Sequence, residues 1–148
     1  MKITHQNVLG DLQSRLVIAA LSLIISACVT MTAHEATWKT VPESKMPYDR
    51  AWSIVVNAVT QHFELETTDA QSGYLRTGWK VTDRDILGAP IKKARVHVRV
   101  EERRPFTVKI KVERQEFEPL SEEWIITGND EKMEGEIMGE LSGRLRKG

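Results

Sequence analysis

The chain carries one thiol, Cys28. It follows Ile25-Ser26-Ala27 at the end of a short apolar run, Leu16 to Ile25, interrupted only by Ser22. A thiolate is a nucleophile, able to form thioethers or disulfides. With no second cysteine, an intrachain disulfide is excluded. The other titratable groups are dispersed. Beyond the leader, His34 falls in a connecting segment, His62 near a helix end and His97 on a strand, which is too scattered for a zinc site. Carboxylates such as Glu64, Glu66, Glu101, Glu102, Glu113, Glu116, Glu122 and Glu123 alternate or pair in positions expected to be exposed, and nothing selects an acid–base couple among them. There is no nucleophile elbow, phosphate loop, paired-cysteine site or dinucleotide fingerprint. The sequence therefore offers no catalytic residue, no metal site and no cofactor site.

Two constellations suit binding rather than catalysis. Arg76, Lys80, Arg95, His97, Arg99, Lys109 and Lys111 are all expected to point away from the core, forming a basic patch eased at its ends by Glu101 and Glu113. Such a face either stays solvated and blunts aggregation or docks an acidic protein, lipid A phosphates or peptidoglycan carboxylates. Tyr74 is the one aromatic expected there, which disfavours nucleic acid. Gly135, Gly139 and Gly143 recur every four residues in a helical segment, each at a cost of about 1 kcal/mol against Ala. They are either tolerated flexibility or a face for a partner subunit's helix.

The elements that place Cys28 are those of an export leader. Lys2 and Arg15 precede the apolar run, and small residues follow it, as in a secretory signal peptide. Ten apolar residues fall well short of the roughly 20 that cross a bilayer. Ile25-Ser26-Ala27-Cys28 resembles the lipobox of bacterial lipoproteins. The resemblance implies cleavage before Cys28 and acylation of its sulfur and new amino terminus, by chains such as palmitate. Val29, in place of an aspartate, implies export to the periplasmic face of the outer membrane. The expected organisation is a signal peptide over 1–27, a lipidated cysteine and tether over 28–46, and one domain over 47–148.

Removal of the leader leaves roughly 120 residues, enough for one core. The remaining charge is near neutral, so no global field favours nucleic acid. An edge strand is expected at Thr37–Val41. A helix is expected from Pro47 to about Phe63, with Trp52, Val55, Val56, Val59 and Phe63 on one stripe. Glu64–Thr68 and Tyr74–Val81 read as a hairpin around Asp69–Gly73, with Leu75, Thr77 and Trp79 sharing a face. Asp83–Lys93 reads as a loop. Ala94–Glu102 and Phe106–Phe117 alternate with period two. Trp124, Ile125 and Ile126 are expected to plug the core edge or add a turn. A last helix, capped by Asn129 or Asp130, reaches about Arg146, with Met133, Ile137, Met138, Leu141 and Leu145 inward. The expected fold is α+β, an antiparallel sheet with two helices packed on one face.

Tyr48-Asp49-Arg50-Ala51-Trp52 through Phe63, followed by Asp69-Ala70-Gln71-Ser72-Gly73-Tyr74-Leu75-Arg76-Thr77-Gly78-Trp79, resembles the repeat unit of BamC-like lipoproteins of the outer-membrane β-barrel assembly machinery. The resemblance implies a helix-grip fold and a non-enzymatic scaffold or accessory subunit, attached to the membrane by its acyl group and to a protein subunit of an envelope complex. The alternative expectation is a periplasmic module holding a hydrophobic ligand between helix and sheet, lined by Trp52, Trp79, Phe106 and Met138.

Overall fold

The structure is a computed structural model and describes residues 33–147. Cys28, the lipobox Ile25-Ser26-Ala27, the leader and Val29 lie outside the described residues. The elements run β1 (Lys39–Thr40), α1 (Tyr48–Thr60), β2 (Leu65–Asp69), β3 (Tyr74–Thr77), β4 (Lys80–Arg84), β5 (Pro90–Arg103), β6 (Phe106–Glu118), β7 (Glu123–Asn129) and α2 (Glu131–Arg146). The seven strands form one antiparallel sheet, and the fold is α+β.

β5 and β6 are its spine, 14 and 13 residues long. Each flank of this pair is shared by two shorter strands. β4 pairs the first part of β5 and β3 a later part, with β2 outside β3. β1 pairs the first part of β6 and β7 the last. Side chains of an antiparallel pair alternate between faces. Ala94, Val96, Val98, Val108, Ile110 and Val112, the even positions of the spine, are buried. They join one cluster with Ala51, Trp52, Val55, Ala58 and Val59 of α1 and with Ile137, Leu141 and Leu145 of α2. In the middle of the spine the odd positions, Arg95, His97 and Arg99 on β5 and Lys109, Lys111 and Glu113 on β6, define the outer face.

α1 begins directly after Pro47 and ends at Thr60, so Phe63 is buried just beyond the helix. α2 is capped by Asp130, whose carboxylate accepts from the Met133 amide at 3.1 Å. Its inward face also carries Glu134, only 1 % exposed. One oxygen of Glu134 accepts from Asn129 Nδ2 (2.6 Å) and the Val112 amide (3.4 Å), and the other pairs with Lys39 Nζ at 2.8 Å. The Asn129 side chain in turn bonds the amide and carbonyl of Thr37.

Three expectations change. From His34 onward the segment expected as a tether packs into the domain. His34 bridges Thr127, Val41 is fully buried, and the Ser44 hydroxyl donates to the Leu145 carbonyl at 2.8 Å. The loop expected over 83–93 is mostly a hairpin, because β5 starts at Pro90 and only Asp85–Ala89 turn. Trp124, Ile125 and Ile126 lie in a strand, β7, paired to the far end of β6. Their polar neighbours mask the period-two pattern, and their half-burial matches an edge.

Candidate functional site

The outer face is built by the register of the spine. Arg95 faces Glu113, His97 faces Lys111 and Arg99 faces Lys109. Arg76 on β3 pairs His97, which brings it to the same face. Six of the seven expected basic residues thus share this side. Lys80 does not. It pairs with Ala94, a core position, and directly paired residues share a face. Its ammonium donates to the His62 carbonyl at 2.8 Å and lies 5.5 Å from the Phe63 ring centroid.

The cause is a break at Gly78–Trp79, between β3 and β4. The Val96 amide of β5 bonds the Thr77 hydroxyl instead of a strand carbonyl, at 2.9 Å. The Gly78 amide turns back to the Glu64 carbonyl at 3.0 Å. Past this point the alternation has flipped, so Trp79 leaves the core side. Arg95 sits 4.5 Å over its ring and Lys93 5.8 Å.

The expectation of a single aromatic on the outer face is therefore corrected. Trp79, Trp124, Phe117 and Trp38 join Tyr74 there. Lys93 Nζ stands 3.7 Å over Trp124, which tilts on Phe117 at 5.5 Å. Lys111 Nζ is 5.2 Å from the Trp38 centroid, and Trp38 meets His97 edge-on at 6.3 Å. Cations over indole faces are attracted by the ring quadrupole. The face is a ladder in which cations and indoles alternate.

It is not a bare basic patch. Glu113, expected at its edge, sits at its centre and is only 6 % exposed. It receives Arg95 Nε at 2.7 Å, Lys111 Nζ at 2.7 Å and His97 Nε2 at 3.1 Å. Arg76 pairs with Glu66 at 2.7 Å, and Lys109 with Glu101. Arg99 is exposed and makes no ion pair among the described residues.

Burial alone raises the Glu113 pKa, but hydrogen bonds from Lys111 and Arg95 and the charges around them outweigh it and hold the carboxyl at about 2. Burial lowers the pKa of His97 despite the nearby carboxylate. His97 is accordingly neutral at pH 7, and Arg95 and Lys111 are the cations that balance Glu113. The contacts fit the tautomer in which Nε2–H donates to Glu113 and Nδ1 accepts from the Tyr74 hydroxyl at 3.3 Å. Expected as an ordinary surface histidine, His97 is a buried joint between two strands. Desolvation lowers the pKa of Lys93, the cation between two indoles.

Gly135, Gly139 and Gly143 are exposed on α2, and a methyl group added at any of them meets nothing within 4 Å. The residues expected to line a ligand cavity are separated. Trp52 and Phe106 are core, with Tyr48 stacked on Trp52 and tilted against Phe106, and Met138 packs against that core, whereas Trp79 is on the outer face. The surface holds open grooves instead. One of about 450 Å³ lies between the end of α1 and Gly78–Lys80. Another, of about 390 Å³, lies at the β5–β6 turn. Among the described residues no group of three or more His, Cys, Asp or Glu is placed to hold a metal, and no helix is long and apolar enough to cross a membrane. Compared with known proteins, the chain matches no family model and no curated protein.

Proposed function

We propose that this protein is a non-enzymatic envelope lipoprotein, held at the periplasmic face of the outer membrane by acylated Cys28, that serves as a scaffold or accessory subunit of a larger assembly. The observation that carries this reading is the outer face. Arg95 and Lys111, which lie over Trp79 and Trp38, are held by a buried carboxylate, so the centre of the face is preorganised with little to lose in ordering on contact. Trp and Arg are the side chains that most often dominate protein–protein contacts. The charge compensation favours a protein of mixed polarity over a polyanion such as nucleic acid. The ligand-carrier alternative loses one of its four walls, because Trp79 lies across the sheet from Trp52 and Phe106.

The test is recovery of a C-terminally tagged chain from native membranes after crosslinking. The expected result is co-purification of an envelope subunit, lost when Trp38→Ala and Arg99→Glu are combined, with Cys28→Ser moving the protein out of the membrane fraction. Recovery of the protein alone, or an unmodified Cys28 in mass spectrometry, would overturn the assembly role and the anchor respectively.

A further inference from the structure

The two hairpins at one end of the spine carry aliphatic side chains in water. Ile86 is fully exposed, Leu87 is 88 % exposed and Leu120 is 85 % exposed. Ile86 and Leu87 tip the β4–β5 hairpin, and Leu120 tips the β6–β7 hairpin. Lys92 pairs Glu116 in the ladder, so both tips project from the same end of the sheet. The turns are ordered rather than slack. Asp85 accepts from the amides of Leu87 (2.9 Å) and Ala89 (2.8 Å), Arg84 bonds the Gly88 carbonyl at 2.8 Å, and Glu118 accepts from the Leu120 amide at 3.4 Å. Adjacent aliphatics held in water on ordered turns mark a surface that is covered by contact with another apolar surface. The tips also carry unbalanced charge. Arg84 and Lys92 are engaged, Lys92 with Asp83 at 3.4 Å, while Glu122 and Glu123 are exposed without an ion pair among the described residues.

The opposite end of the same sheet holds the complement. At the β5–β6 turn an open depression of about 390 Å³ is bounded by the exposed Pro47 and Pro105 over the buried Met46 and Phe106, with Lys45, Arg103 and Arg104 around them and no carboxylate in the lining. Lys45 and Arg104 make no ion pair among the described residues. At about 30 Å³ per water, the depression has the room of roughly a dozen waters, ample for the eight side-chain carbons of one isoleucine and one leucine. β5 separates the two ends by about 45 Å at 3.3 Å per residue, so one copy cannot cover its own depression.

We propose that the protein self-associates head to tail, the Ile86–Leu87 tip of one copy seating on the Pro47–Pro105 depression of the next, with Glu122 and Glu123 facing the next copy's Lys45 and Arg104. Donor and acceptor are different surfaces. The contact is therefore heterologous and propagates into a row or closes into a ring.

The test uses the full-length chain in intact cells, with Ala89→Cys and Glu102→Cys, exposed neighbours of the tip and of the depression, combined and mild oxidation before non-reducing electrophoresis. The expected result is a ladder of dimer, trimer and higher species, absent from either single variant. Both positions are exposed, and the circular dichroism of the purified variants checks that they fold. Leu87→Glu is expected to remove the ladder. Glu122→Lys with Glu123→Lys is expected to weaken it, and Lys45→Glu to restore it. No ladder from a folded double variant overturns the proposal. So does a dimer from Ala89→Cys alone, which would mean tip-to-tip contact, or capture of Ala89→Cys on a different protein. A ladder indifferent to Leu87→Glu would be random collision and would overturn it as well.

Discussion

Glu113 shows how far a single carboxylate can depart from the pattern around it. In sequence it is one more charged residue alternating with valines, and such residues usually face water. In the fold it is buried beneath two cations and a neutral imidazole. Its signal was only partly local: Lys111 lies two residues away on β6, but Arg95 and His97 come from the facing strand. A folded pKa of about 2 against an ordinary 4.5 makes its stabilising contribution fully present above pH 4.5 and lost as pH falls toward 2, worth about 3 kcal/mol at neutral pH. His97 works in the same direction. Its folded pKa lies below its ordinary 6.5, so acid protonates the unfolded chain first and stability falls as pH drops below that value. Urea unfolding should therefore show stability declining from pH 6.5 downward, most steeply below 4.5. Glu113→Gln should cost about 3 kcal/mol at pH 7 and progressively less toward pH 2. A pH-independent difference between the two proteins would mean that the carboxylate's charge is not what holds the joint.

Elements with strict periodicity were legible. The β5 and β6 alternation and the two amphipathic helices appear where their apolar spacing puts them, with ends displaced by a few residues. What failed was phase and edge. Tyr74 to Val81 reads as one strand, but Gly78 interrupts it, and every later side chain changes face. That error moved Trp79 into the expected core and Lys80 onto the expected patch. β7 was hidden because an edge strand buries neither face fully and so shows no clean alternation. The glycines separate by element in a way that can be measured. Gly73 closes the β2–β3 turn at φ +70°, and a Cβ there would lie 2.7 Å from Val100 Cβ. Gly73→Ala should cost about 2–4 kcal/mol, combining left-handed backbone strain with overpacking. Gly139→Ala on α2 meets open space and should instead stabilise by about 0.5–1 kcal/mol. Thermal melts of both variants check the pair. If Gly139→Ala keeps its stability but loses the co-purified subunit, the helix face is a contact; if it keeps both, the glycines are only tolerated.

For the molecule as a whole, the decisive segment is the one between the expected anchor and the first helix. Composition made residues 28–46 look like a tether, since small and polar residues dominate its start. Yet Ala36, Val41 and Met46 are buried, β1 covers the edge of β6, and Lys39 supplies the ammonium that pairs with the buried Glu134. Asn129 clamps Thr37 on one side and Glu134 on the other. On the proposed acylation of Cys28, only residues 29–33 separate it from His34, which already bridges Thr127. Deleting residues 1–46 should consequently do more than shorten a leash. It strips about 1.5–3 kcal/mol for each of Val41 and Met46, and stranding a buried carboxylate typically costs about 3–5 kcal/mol. Together these match much of the 5–15 kcal/mol that holds an ordinary domain. A chain beginning at Pro47 should be largely unfolded by circular dichroism and amide exchange, while one beginning at Ala33 should melt cooperatively. Equal melting temperatures for the two would show that the segment rests on the domain without supporting it, and that the domain boundary belongs at Pro47 after all.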